Sequence, residues 1–316
     1  MRTIPTPPWA LLLAGGDGRR LRPLTRQISG DARPKQFCPI YDGETLLDRT
    51  RRRADLLSRM DHQVVVVSRS HAPYYALLAR ELAPDRLVVQ PANAGTAPGV
   101  LYPLLRIRHL AGNVPVAVYP SDHYVSDDAA FTDSVAHAVD IVRRRTDLVA
   151  LMGIEADSPQ TEYGWIEPYE EPLPLPGEPA FPIRRFWEKP SARLAERLFQ
   201  HGALWNSFVM VGWVDAFLRL AERAARGLLE ALGPLRQAIG TDGEMRVAEQ
   251  VYRHLAAAPI GFSERILAPA ADGLVTVRVK GVEWSDWGHP ERVVATMRRT
   301  GWRPAWLGRV ELTSAG

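Results

Sequence analysis

The chain is 316 residues long and 46% hydrophobic, and it carries 39 Lys and Arg against 36 Asp and Glu, a net charge of +3. This length and apolar content suit one large α/β domain or two modest ones, and they exclude a disordered or fibrous chain. The single cysteine, Cys38, excludes an internal disulfide, the apolar run at 9–14 is too short for a signal-peptide core, and no stretch approaches the ~20 apolar residues of a membrane span, so a cytoplasmic protein with no membrane partner is expected.

From the N-terminus, strand-like apolar runs at 9–14, 64–67, 87–89, 114–119 and 148–153 alternate with helical patterns at 45–59, 72–82, 96–110 and 128–144. Strand-helix alternation predicts an α/β fold with a doubly wound, mostly parallel sheet. Arg49, Arg51, Arg52 and Arg53, and Arg143, Arg144 and Arg145, read as solvated helix faces. They lack the interleaved aromatic residues of a single-strand platform, so no nucleic acid is expected as a partner. Beyond 158 the alternation breaks into short strand-like pieces around a proline-rich stretch at 168–182, an extended surface loop. Helical patterns return at 191–200, 213–237 and 244–257, then a strand at 274–279 and a helix at 290–299. This gives one domain over 1–299, with halves at about 9–155 and 156–299, and a short C-terminal tail at 300–316.

Leu13-Ala14-Gly15-Gly16-Asp17-Gly18-Arg19-Arg20-Leu21 leaves the first predicted strand, and Pro34-Lys35-Gln36-Phe37 follows it closely. A glycine-rich turn exposes backbone N–H groups to phosphate, and Arg20 and Lys35 add fixed positive charge. No Gly-Lys-Ser/Thr closes the loop as in a Walker A motif, and Leu21 stands where a dinucleotide fingerprint needs its third glycine. In a doubly wound sheet, ligands bind beyond the carboxyl ends of the strands, which is where this loop falls. Asp122, in Pro120-Ser121-Asp122-His123, follows the fourth strand, and Asp286 lies in Trp284-Ser285-Asp286-Trp287-Gly288 between a strand and a helix. Two carboxylates with phosphate oxygens and water suffice for Mg2+. Either aspartate alone serves equally well as a turn or N-cap residue. His123 reads as structural, because a hard ion prefers oxygen.

In this order the segments resemble the sugar-1-phosphate nucleotidyltransferases, whose opening motif runs Leu-Ala-Gly-Gly-x-Gly-x-Arg-Leu-x-Pro-Leu-Thr, and most of all the mannose-1-phosphate guanylyltransferase branch, over about residues 9–297. The resemblance implies a glycosyltransferase-A-like, Rossmann-like sandwich that joins a sugar 1-phosphate to an NTP, giving an NDP-sugar and pyrophosphate, with mannose 1-phosphate and GTP as first choice. It assigns the half at 9–155 to the nucleotide and the half at 156–299 to the sugar phosphate. Leu13, Ala14, Gly15, Gly16, Gly18 and Arg19 would line the nucleotide, Arg20 and Lys35 would hold the triphosphate, and Asp122 and Asp286 would carry Mg2+. Gln90-Pro91-Ala92-Asn93-Ala94-Gly95-Thr96 resembles the base-reading segment, which places Gln90, Asn93, Gly95 and Thr96 at the base. Gln90 stands where that branch has Glu, and an amide both donates and accepts, so the base rests on the resemblance alone. Thr96 doubles as a candidate helix cap. Tyr163-Gly164-Trp165-Ile166-Glu167, Phe186-Trp187-Glu188-Lys189-Pro190 and Trp205-Asn206-Ser207 resemble the sugar-side motifs, so Tyr163, Gly164, Glu167, Glu188, Lys189 and Asn206 would meet the sugar phosphate.

Two alternatives stay open: the same chemistry on another hexose, heptose or cyclitol phosphate or with another NTP, and a non-catalytic nucleotide-sugar-binding relative. A homo-oligomer is compatible with either. Glu162 and Phe208 stand where the family usually has glycine, and at least one is expected to line the sugar pocket. Asp286 is expected in an exposed cleft, where its loss would leave the fold intact.

Overall fold

Trp9–Ala14 (β1), Gln63–Ser68 (β2), Leu87–Gln90 (β3) and Pro115–Pro120 (β4) are short runs rich in Val and Leu and largely buried, the pattern of strands covered on both faces. They belong to a computed structural model that describes residues 6–41 and 43–309. Tyr124–Val125 (β5), Val149–Glu155 (β6), Gly164–Pro168 (β7), Ala180–Glu188 (β8), Leu204–Trp213 (β9), Leu274–Val279 (β10) and Trp284–Ser285 (β11) follow. Nine of these strands form one sheet in the order β3-β2-β1-β4-β9-β6-β10-β8-β7, and β5 and β11 form a separate pair. All of the nine but β8 and β9 run the same way. The mostly parallel α/β sheet read from the sequence is present.

The helices are Arg22–Ser29 (α1), Leu46–Asp55 (α2), Ala72–Tyr75 (α3), Leu78–Glu81 (α4), Thr96–Ala111 (α5), Asp128–Arg144 (α6), Ala192–Gln200 (α7), Val214–Ala231 (α8), Gly233–Ala238 (α9), Glu244–Leu255 (α10) and Pro290–Thr300 (α11). Alternation along the strands sorts the core into two layers. Leu11, Val64, Val66, Val116 and Val118 pack with α5, α8 and α10, while Leu12, Val65, Val67, Ala117 and Tyr119 pack with α2 and α6. Each such aliphatic side chain contributes about 1.5–3 kcal/mol on burial, and a slip of one residue would turn every one to the wrong layer, so the register is strongly specified.

The structure corrects four local expectations. The helix expected at 72–82 is two short ones, α3 and α4. Strand β9 escapes a reading by periodicity, because Asn206 and Ser207 interrupt its apolar run. The Arg49–Arg53 cluster is not a uniformly solvated face: Arg53 is 3% exposed and its Nε donates to Asp128 Oδ1 at 2.6 Å. The expected tail packs back as far as it is described, with Trp306 buried and its indole N–H donating to the Ile40 carbonyl at 2.9 Å. Trp306 joins a third cluster in which Leu21 and Leu24 meet Cys38, Ile40, Trp287 and Val293. That cluster clamps the glycine loop and the Asp286 segment to one another. Among the described residues no helix is long and apolar enough to cross a membrane.

Candidate active site

Strand order reverses between β1 and β4, and the glycine loop and Asp122 flank that crevice. Ser121 fastens the two sides, because its N–H and its hydroxyl both donate to the Leu13 carbonyl, at 3.2 and 2.6 Å. Gln36 pins the loop from below, its amide donating to the carbonyls of Ala14 at 2.9 Å and Gly16 at 2.8 Å. Gly18 takes φ +56°, the left-handed region, and a Cβ there would lie 3.1 Å from the Lys35 nitrogen. A Cβ on Gly15 would lie 2.5 Å from Gln90 Nε2. The loop is glycine-rich because it lies directly on Lys35 and Gln90. Asp17, in the middle of the loop, faces Arg19 at 3.3 Å, buried His71 at 3.4 Å and the Asn93 amide at 3.2 Å.

The base segment differs in detail from its sequence reading. Gly95, at φ +91°, is the N-cap of α5, and Thr96 is its first helical residue. The Thr96 hydroxyl instead accepts the Phe262 N–H at 2.8 Å, and Asn93 Oδ1 accepts the Gly95 N–H at 3.0 Å.

Asp122 and Asp286 converge. The antiparallel pairing of β5 with β11 sets Tyr124 opposite Ser285, bringing the segment after β4 beside the segment before α11. Asp122 is not the cap of α6; Asp127 is, accepting from the Ala129 and Ala130 N–H groups. The Lys35 ammonium lies between the two segments, 3.2 Å from Asp122 Oδ2 and donating to the Asp286 carbonyl at 2.5 Å. Gly18, Arg19, Arg20, Leu21, Lys35, Asp122 and Gly288 line one cleft of about 280 Å³.

Asp286 is largely enclosed. Its Oδ1 accepts from Arg292 at 2.8 Å, the Gly288 N–H at 2.9 Å and the Tyr163 hydroxyl at 3.3 Å. Burial pushes its carboxyl up, but Lys35, His123 and Arg292 outweigh that and hold it below the ordinary carboxylate range. The expectation of an exposed site is therefore wrong for this residue. Burial lowers the His123 imidazole, with Asp122 opposing. Tyr163 serves the carboxylate here, its hydroxyl on Asp286 and its ring under the Arg292 guanidinium at 4.6 Å.

Arg292 is invisible in the sequence, where an arginine in the first turn of a helix carries no motif. It also donates to Glu162 at 3.0 Å and Gln160 at 3.1 Å. Glu162 in turn faces His289 at 2.9 Å and Arg20 at 3.4 Å, and Arg20 lies 2.8 Å from His289. Glu162 thus turns toward Arg20, His289 and Arg292, away from the candidate sugar-side group that it or Phe208 is expected to line.

That group consists of Gly164, Glu188 and Asn206. A Cβ on Gly164 would come within 3.1 Å of Glu188 Oε2 and 3.4 Å of Asn206 Cβ. Desolvation by neighbouring atoms raises the Glu188 carboxyl, with Lys189 and Ser263 opposing. Asn206 Oδ1 accepts the Phe208 N–H at 3.1 Å. Phe208 packs edge-on against Phe262, ring centroids 6.2 Å apart. Glu167 does not join this group. Strand alternation sends it to the opposite face from Gly164, where it accepts the Trp187 indole N–H at 3.1 Å and lines a separate groove beneath the proline-rich loop. Lys189, Phe208 and Trp287 are the non-glycine residues with left-handed φ among those described, at 46°, 60° and 44°. Each follows a candidate site residue by one or two positions, and strained backbone of this kind gathers where surroundings over-determine it.

No group of three or more His, Cys, Asp or Glu among the described residues is gathered to hold a metal, so an ion here would rest on two carboxylates and its substrate.

The fold around this cleft is shared with known proteins. The Thermus thermophilus structure described as mannose-1-phosphate geranyltransferase superposes with TM-score 0.77 at 28% identity, covering 92% of this chain and 80% of that one. The mannose-1-phosphate guanylyltransferase of Escherichia coli K12 is 28% identical over 286 residues, 89% of this chain and 58% of its own. The alginate biosynthesis protein AlgA of Pseudomonas putida is 30% identical over 211 residues, 66% of this chain and 42% of its own. The chain thus spans about half the length of the curated relatives it matches. The nucleotidyl transferase family model matches residues 9–300, nearly the whole chain, and the protein belongs to that family.

Proposed function

We propose that the protein joins a sugar 1-phosphate to a nucleoside triphosphate, releasing pyrophosphate, with mannose 1-phosphate and GTP as the pair. The observation that carries this reading is Lys35 set between Asp122 and Asp286 under a glycine loop that is open to a phosphate chain. The loop N–H groups, Arg20 and Lys35 hold the triphosphate. Lys189 steadies the incoming sugar phosphate, while Glu188 and the Asn206 amide take sugar hydroxyls. A phosphate oxygen of the sugar phosphate is already anionic at neutral pH, so it attacks the α-phosphorus without a general base. The new P–O bond forms as the bond to the bridging oxygen of pyrophosphate breaks. The residues then contribute alignment and neutralisation of charge.

Two carboxylates suit a hard divalent cation: three donors occupy Asp286 Oδ1 and leave its Oδ2 for an ion, and the Asp122 carboxylate pairs with the Lys35 ammonium. Mg2+ held by Asp122 and Asp286 together with substrate oxygens would supply further neutralisation of the phosphate chain when bound. The relatives named for mannose 1-phosphate and GTP support that choice of substrates. Pyrophosphate release, measured over a grid of NTPs and sugar 1-phosphates with and without Mg2+, tests the proposal. No release from any combination would reject it, and the strongest combination would name the substrates.

A further inference from the structure

Gln90 ends β3 beside the glycine loop, and it is 5% exposed. An unrestrained amide presents a donor or an acceptor with equal ease. Here the Tyr252 hydroxyl, from α10, lies 3.1 Å from Gln90 Oε1. Tyr252 is fully buried, and burial pushes its hydroxyl far above the ordinary tyrosine value, so it keeps its proton and donates. Its other acceptor, the Pro98 carbonyl, is more distant at 3.4 Å. The Tyr252 ring is itself set by Tyr102, 6.2 Å away and tilted, whose hydroxyl is fixed on Glu244 at 2.5 Å. Glu244 also pairs with Arg106 and accepts the Gly240 N–H at 2.9 Å. The chain of contacts leaves the Gln90 carbonyl occupied and its NH2 turned toward Gly15.

We infer that Tyr252 is a specificity-determining positioning residue that commits Gln90 to act as a hydrogen-bond donor, so that the nucleobase is gripped through a carbonyl acceptor such as guanine O6. The inference rests on the nucleotidyl transfer proposed above. A carboxylate at this position, as in the branch the sequence resembles, offers only acceptors and would grip guanine through N1–H and N2–H instead of O6. The buried tyrosine hydroxyl and the amide thus form one polarity switch set in a single direction. Adenine, with an amino group in place of O6, would meet donor against donor.

Calorimetric titration of GTP and of ATP, in the presence of Mg2+, into wild type, Tyr252→Phe and Gln90→Leu tests the inference independently of turnover. The wild type should bind GTP at least about tenfold more tightly than ATP, the discrimination expected where a wrong partner leaves a polar group unpaired. Tyr252→Phe keeps the ring and frees the amide, so the GTP:ATP ratio should shrink by about fivefold or more. Gln90→Leu, which removes the donor without adding an acceptor, should lose most of its preference for GTP over ATP. A GTP:ATP ratio in Tyr252→Phe within about twofold of wild type, or an unchanged ratio in a folded Gln90→Leu, overturns the inference while leaving the transferase reading intact. NTP binding with this pattern but no pyrophosphate release rejects the transferase reading alone. Absence of any NTP binding by a folded wild type rejects both.

Discussion

The two sides of the cleft are built by different means. On the proposed nucleotide side, parallel strands end in turns whose unusual backbone is carried by Gly18 and Gly95, residues that adopt left-handed φ at no steric cost. On the proposed sugar side and in the Asp286 segment, antiparallel strands and their exits carry left-handed φ on Lys189, Phe208 and Trp287, where each costs of order 1–3 kcal/mol. The first design is assembled locally and tolerates its geometry without strain. The second is imposed by tertiary contacts: β9 between β4 and β6, the β5–β11 pair, and the Trp287 indole N–H on the Thr296 hydroxyl at 3.1 Å. Perturbations on the sugar side and at the Asp286 segment should therefore strain both structure and chemistry, whereas those in the loop should strike chemistry first.

Asp286→Ala gives the largest effect. Turnover in pyrophosphate release should fall by about 10³-fold or more, since the proposed site loses a preorganised charge. Stability should fall too, by about 3–5 kcal/mol in denaturant unfolding, because Lys35 and Arg292 lose a largely buried counter-charge. Asp286→Asn should keep more of the stability and little more of the activity. An alanine variant with wild-type turnover would remove Asp286 from the site, and one with wild-type stability would restore the exposed-cleft expectation.

Next in size is the contrast between Lys35→Met and Lys189→Ala. Lys35 pairs with Asp122 beneath the loop, so kcat/KM for the NTP should drop by about 10²-fold. Lys189 lies exposed at the strained exit of β8 beside Glu188, and its loss should raise KM for the sugar phosphate by about tenfold with less effect on the NTP. Initial rates with each substrate varied in turn decide it. A Lys189 defect confined to the NTP would reverse the assignment.

The same contrast explains what is legible in the sequence. Strands β1 to β4 and the glycine loop with Lys35 beside it can be read there, because local periodicity and glycine chemistry fix them; Asp122 and Asp286 stand out only through the family resemblance, since each alone reads as a turn or cap residue. Arg292, Glu162 and His289 form a network around Asp286 and Arg20 that depends on α11 packing against the loop after β6, and no local pattern encodes that. Glu167 is misplaced by its motif, which gives its position but not its face; the pairing of β7 with β8 decides the face. Strand β9 is hidden because Asn206 and Ser207 put polar groups where a periodic reading wants apolar ones; within the fold the Ser207 hydroxyl donates to the Met152 carbonyl at 2.7 Å and Asn206 Oδ1 accepts the Phe208 N–H.

Phe208→Gly probes the sugar side more gently. Glycine relieves the left-handed φ, about 1–2 kcal/mol, but forfeits the edge-to-face pair with Phe262, about 0.5–1.5 kcal/mol, and some burial. Stability should change by no more than about 1–2 kcal/mol. The phenyl ring packs on Phe262, so the ranking of sugar 1-phosphates by kcat/KM should be preserved. A reordered ranking would show that the ring reaches the substrate and would revive a sugar other than mannose.

The smallest effect is a test of the loop itself. His71 is buried against Asp17 and the edge of Phe37, and burial lowers its affinity for a proton, with Asp17 opposing. Above the unfolded value of about 6.5 the ring is neutral in both states and stability is unaffected. As pH falls through that value, the unfolded chain takes up a proton that the folded chain resists, so stability declines, by no more than about 1.4 kcal/mol per pH unit from this one residue. Replacement by glutamine removes the titration. Denaturant unfolding at pH 7 and pH 5 should show a greater loss in wild type than in His71→Gln, and identical losses would mean that Asp17 compensates the burial fully. In that event the glycine loop would stay anchored on an imidazolium at acid pH, and the nucleotide side would owe part of its rigidity to an ion pair rather than to glycine geometry alone.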